Sequence, residues 1–90
     1  MKTIKRVTCE KPVSKSGNGL VIAVTGEVKK LGVGSGEPVR VSLEKNSKKI
    51  MSDKMVMVKG TSLMLSVTKE TKMLGVEKGD SVRVTLEKIN

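Results

Sequence analysis

Hydrophobic and polar positions follow one fixed order along the chain, and they follow it twice. The first pass begins with a polar segment, Ile4–Val13, ending at the turn "SKSGNG". An unbroken apolar run follows over Leu20–Thr25, and its lack of alternation predicts a strand buried on both faces. A short charged stretch, Glu27–Leu31, has the length and spacing of a small helix. Thr25 is placed as its N-cap, Glu27 sits in the first turn where the helix dipole favours a carboxylate, and Gly32 falls at the left-handed C-cap. After the turn "GSGEP", the segment "VRVSLE" alternates Val and Leu with polar residues, as a half-buried strand does. Pro38 is tolerated at that strand's start. The second pass predicts the same elements: a strand over Lys48–Val58, the turn "KGTS", an apolar strand over Leu63–Thr68 and a helix over Glu70–Leu74. Thr68 is its expected cap and Gly75 its stop, and the closing strand is "VRVTLE".

A shift of 43 residues lays the chain on itself. Residues 20–45 match residues 63–88 at 15 of 26 positions without a gap. The match extends back to give repeats 7–45 and 50–88, joined by a polar linker at 46–49. Solenoids need at least three copies, so two copies predict one closed structure with pseudo-twofold symmetry. The expectation is one domain over residues 1–90: mainly β with short helices, a barrel made of two repeats of about 40 residues.

Composition narrows the chemistry. The chain has no Phe, Trp or Tyr, so Val, Leu, Ile and Met must form the core, and the methionines are expected to fill it. Fourteen valines favour strands. No run approaches the roughly 20 apolar residues of a spanning helix, and no signal peptide is evident, so no membrane association is expected. The lone Cys9 points to a reducing, cytoplasmic setting. Without histidine and with one cysteine, neither an imidazole base nor a metal-ligand cluster is available, so no cofactor and no enzyme are expected. "GVGSGEP" lacks the Gly-Lys-Ser/Thr ending of a phosphate loop and precedes a strand, so it reads as a turn.

The formal charge is +9 and it is clustered. Residues 1–15 carry +4 and residues 46–59 carry +3, while 16–45 and 60–90 carry +1 each. The excess precedes each apolar run, which solubility alone does not explain. The missing aromatics argue against stacking on single strands and favour duplex DNA.

The series "VSKSGNGLVIAVTGEVKKLGVGSGEPVRVSLE", with its second copy "LGVEKGDSVRVTLEK", resembles the AbrB/MazE/SpoVT family of DNA-binding domains. That family runs from a basic strand through a "GN-S" turn, an apolar strand and a short helix to "LG-hydrophobic", "xxGD" and "VxVxxE". The resemblance implies a swapped-hairpin (AbrB-like) barrel. In the family two chains interlock; here both halves lie on one chain, implying a monomeric pseudo-dimer or a homodimer. It also implies a transcriptional regulator that binds double-stranded DNA through the first strand and its turn, with help near the helix start. The chain departs from the pattern where Thr25 and Thr68 replace a usual proline, and where the second turn lacks the Asn.

Arg6, Lys11, Lys15 and Asn18 are the candidate DNA contacts of the first repeat, and Lys48, Lys49, Lys54 and Lys59 those of the second. Lysines and arginines neutralise phosphates, and a turn Asn can bond a phosphate or a base edge. The plainer reading of Gly17-Asn18-Gly19 is a hairpin turn chosen for positive φ. For Arg40 and Arg83 the expectation is a pair with Glu44 or Glu87. The alternative function is a protein-interaction module, antitoxin-like or adaptor. Family antitoxins carry a C-terminal tail, whereas this sequence runs two residues past its last strand, so a toxin partner is not expected.

Overall fold

The computed structural model describes residues 5–89. The order is β1 (Arg6–Pro12), β2 (Ser14–Ser16), β3 (Gly19–Ala23), α1 (Thr25–Leu31), β4 (Pro38–Lys45), β5 (Lys48–Met55), β6 (Met57–Lys59), β7 (Ser62–Ser66), α2 (Thr68–Leu74) and β8 (Ser81–Lys88). The protein is mainly β. Its strands form two antiparallel four-stranded sheets, ordered β1-β8-β4-β5 and β2-β3-β7-β6, rather than one closed barrel. The expected first strand to Val13 is therefore split, with Val13 buried at the break and the chain crossing from one sheet to the other. Ile4, its expected start, lies outside the described residues.

The core lies between the sheets. From the first sheet come Val39, Val41, Leu43, Val82, Val84 and Leu86, one face of the alternating strands β4 and β8. Ile22 and Leu65 face each other across β3 and β7, both fully buried. The helices close the remaining space: α1 packs on β1, β8 and β7, and α2 on β4, β5 and β3. No described helix is long and apolar enough to cross a membrane.

Both helices end alike. Gly32 and Gly75 take φ of 72°, and the following Val33 and Val76 donate to the carbonyls of Val28 and Thr71 at 2.9 Å. This double closure is the Schellman arrangement, which needs a residue without a Cβ penalty at the left-handed position. The helix starts differ from expectation. Val24 and Val67 occupy the N-cap positions and no side chain caps them. Thr25 and Thr68 are the first helical residues, and each hydroxyl reaches into the other half. Leu63 N–H donates to Thr25 Oγ1 at 2.9 Å, and Leu20 N–H to Thr68 Oγ1 at 3.0 Å. The hydroxyls serve strand ends instead of the helix ends beside them.

The expected linker at 46–49 is mostly strand. Lys45 and Lys48 face each other across a two-residue loop, Asn46-Ser47, both with positive φ (53° and 67°). That is the type I′ geometry whose twist matches a tight hairpin. The methionines are also redistributed: Met51, Met55, Met57 and Met73 are exposed. Valines, leucines and Ile22 fill a core this narrow, in a body 17 Å thick along its shortest axis.

Candidate nucleic-acid interface

The outer face of the first sheet carries much of the chain's charge, and it is neutral. Across β1, β8, β4 and β5 the register aligns Arg6, Glu87, Arg40 and Asp53 in one row. A second row, four residue pairs away, aligns Glu10, Arg83, Glu44 and Lys49 with the opposite order of signs. Between them runs a row of Thr8, Thr85, Ser42 and Met51, with the two threonine hydroxyls 3.2 Å apart. Arg6 meets Glu87 at 3.4 Å and Arg40 meets Asp53 at 3.2 Å. Arg40 thus pairs across to β5 and not along its own strand to Glu44, because opposite residues on neighbouring strands are closer than residues four apart on one strand. Four cations face four acids here, and all three arginines of the chain are among them.

Two further lysines are neutralised beside the helices. Lys11 on β1 meets Glu27 of α1 at 3.0 Å, and Lys54 on β5 meets Glu70 of α2 at 3.0 Å. All four side chains are partly or largely shielded. Burial alone would push both carboxyls up, but the lysine hydrogen bond, a backbone N–H and the lysine charge outweigh it, so Glu27 and Glu70 sit below their ordinary value. Cys9 lies beside the first pair, where burial, then the Glu27 charge, push its thiol up, away from a reactive thiolate.

The positive excess is therefore elsewhere. Outside the neutral face and the two shielded pairs, the described chain has eleven lysines and only Glu37, Glu77 and Asp80 as acids. Glu37 and Asp80 are tied into turns, accepting from Gly34 N–H at 2.7 Å and Glu77 N–H at 3.0 Å. The second sheet contains no acid at all in any of its four strands. It carries Lys15 and Lys59, both exposed, and the side chain of Lys59 donates to Ser16 Oγ. Because β2 and β6 are the outside strands of that sheet, this side-chain contact links its two edges. Lys15, Lys59 and Asn18 thus share one neighbourhood.

The hairpin there explains one residue and leaves another available. Ser16 and Gly19 close the loop Gly17-Asn18, and Gly17 has φ of 60°. Asn18 is not among the described residues with positive φ, so the turn is of the type II′ kind, with glycine first. Lys59, Gly60, Thr61 and Ser62 repeat that geometry with Thr in the second place. The turn therefore does not require Asn18, which stands exposed for other use.

The candidate residues consequently divide. Lys15, Asn18 and Lys59 come together on the acid-free sheet. Lys48 is exposed beside the β4–β5 turn, at a distance from them along the other sheet. Arg6 and Lys49 belong to the neutral face, and Lys11 and Lys54 to shielded ion pairs, so the charges of these four are matched within the chain. Sequence reasoning missed the exposed helix lysines Lys29, Lys30, Lys69 and Lys72. The signal was present: residues 11–26 and 54–69 contain no acid, and these lysines adjoin those stretches. Comparison with protein-family models, with curated proteins and with solved structures finds no match for this chain.

Proposed function

We propose that this protein binds double-stranded DNA, with little sequence preference, as a regulator of the AbrB-like kind. The observation that carries the reading is the separation of charge: one sheet face balanced, the other sheet free of acids and flanked by exposed lysines. Counterion release from phosphates rewards such a surface. All three arginines are held on the neutral face, so the proposed surface offers lysine point charges rather than the bidentate forks that read guanine. That supports contact with the backbone rather than the bases. Asn18 is the group best suited to a base edge.

The swapped-hairpin arrangement belongs to the same reading. It is supported by the interleaving of the halves, in which β1 and β4 each pair with strands of residues 48–88. The test is fluorescence anisotropy on duplexes of unrelated sequence and on a single strand, across a salt series. Duplex should be preferred, with similar affinity for each sequence and a linear loss of log affinity with log salt. Lys15→Glu and Lys59→Glu should weaken binding on every sequence, and replacing one phosphate contact should lower the salt slope by about 1. Arg83→Gln on the neutral face should change affinity little. Equal loss at Arg83 and Lys15 would remove the assignment of the surface.

A further inference from the structure

Among the described residues, the five exposed large apolar ones, Met51, Met55, Met57, Val58 and Met73, all lie in the second half of the chain. Forty-three residues earlier the same positions hold Thr8, Pro12, Ser14, Lys15 and Lys30. The halves therefore differ in what they show to solvent, and the sharpest contrast is at the two edges of the first sheet. At the β1 edge the outer row has Thr8 and Pro12. Proline has no N–H to offer a further strand, a common way of blunting an edge. At the β5 edge the equivalent places are Met51, 58% exposed, and Met55, 56% exposed.

We infer that β5 is a homodimerisation strand, pairing antiparallel with β5 of a second copy about a twofold axis at Met51. First, hydrogen bonding is available. Lys45 and Lys48 close the type I′ hairpin, so alternation along the ladder turns the N–H and C=O of residues 49, 51, 53 and 55 away from β4, toward the free edge. Second, the apolar residues coincide with that edge, so Met51 of each copy would cover the other. Third, the charges fit. Centred on Met51, Lys49 of one copy faces Asp53 of the other, twice, and the alternating rows of the outer face continue across the junction without a clash of sign. The register centred on Asp53 would set Asp53 against Asp53 and is disfavoured.

The product is one eight-stranded sheet with a neutral outer face. This inference does not depend on DNA binding, because its residues lie outside the proposed phosphate surface.

Sedimentation equilibrium and light scattering over a range of concentrations test it on the full chain. The expected mass is twice the 9.7 kDa of one chain, falling to one chain on dilution. Met51→Lys should give a monomer, with a circular dichroism spectrum unchanged from the parent. Asp53→Lys alone should also give a monomer, because it sets Lys49 against a lysine, and Lys49→Asp alone should do so by setting two acids together. The double exchange Lys49→Asp with Asp53→Lys should restore the dimer. A monomeric parent at all concentrations overturns the inference, as does a dimer indifferent to Met51→Lys. Growth beyond two chains would overturn it in favour of β5 pairing with β1 of the next copy, which forms an open filament.

Discussion

Thr25 and Thr68 show how a single side chain acquires a long-range task. Each stands where a helix-capping residue is expected, yet each hydroxyl accepts a backbone N–H from the opposite half, at 2.9 and 3.0 Å. Valine is nearly isosteric with threonine and removes the hydroxyl that accepts this bond. Thr25→Val and Thr68→Val should therefore each leave a part-buried N–H of Leu63 or Leu20 unsatisfied, at a cost of about 1–3 kcal/mol. Urea unfolding followed by circular dichroism checks this, and a change below about 0.5 kcal/mol would mean that water replaces the hydroxyl. The two variants should cost alike, since the sites match in geometry. At this scale the sequence was partly legible. Glycine carries its own conformational reason, so Gly32 and Gly75 could be placed from local pattern alone. The threonines could be singled out, but their partners lie 38 and 48 residues away, and no local signal names them. The exposed methionines were misassigned for a related reason: hydrophobicity says a residue can be buried, while the fold decides whether there is room.

Each helix is held to its strand by a matched ion pair, Lys11–Glu27 and Lys54–Glu70, and this governs the response to acid. Both glutamates are held below their ordinary value of 4.5 in the folded chain, so the unfolded chain binds protons more readily. Their contribution to stability is thus fully present above about pH 4.5 and is lost as pH falls through the lowered folded values. Urea midpoints should accordingly be level near neutrality and drop below pH 4.5. Glu70→Gln should flatten that drop and lower stability at pH 7 by about 1–3 kcal/mol, because Lys54 is left shielded without its partner. An acid limb identical in parent and variant would show that other carboxylates set it. The same pairs match two of the chain's basic residues with acids. Lys11 and Lys54 lie in basic segments, and a count of charges along the chain does not reveal that a helix carboxylate folds over each. The helices and the alternating strands β4 and β8 were legible because their periods are strong. The split of the first strand at Val13 was not, since its cause is a change of sheet partner.

The whole molecule is built so that neither half has a sheet of its own. In the first sheet the strands alternate by origin, β1 and β4 from residues 6–45 and β8 and β5 from residues 48–88. Within one half only the hairpins β2–β3 and β6–β7 pair internally, and an isolated two-stranded hairpin is marginal in water. Backbone clasps tighten the exchange: Gly36 N–H donates to Val56 O at 2.8 Å and Val56 N–H to Glu37 O at 2.9 Å. The other end repeats it, with Gly79 N–H to Val13 O at 2.9 Å and Val13 N–H to Asp80 O at 2.8 Å. A chain cut in the Asn46-Ser47 loop should therefore behave as two dependent pieces. Fragments 1–46 and 47–90, each alone at low micromolar concentration, should give the spectrum of an unfolded chain. Mixed in equal amounts, they should recover the β spectrum of the intact protein with kinetics second order in fragment concentration. The cut should cost little else, because the loop is exposed and its type I′ turn joins strands that already pair along eight positions. A fragment that folds alone as a monomer would mean that the interleaving contributes less than the cores of the separate halves. Folding of a fragment with itself, at higher concentration, would instead follow directly from the matched positions that let each half serve as the other's template.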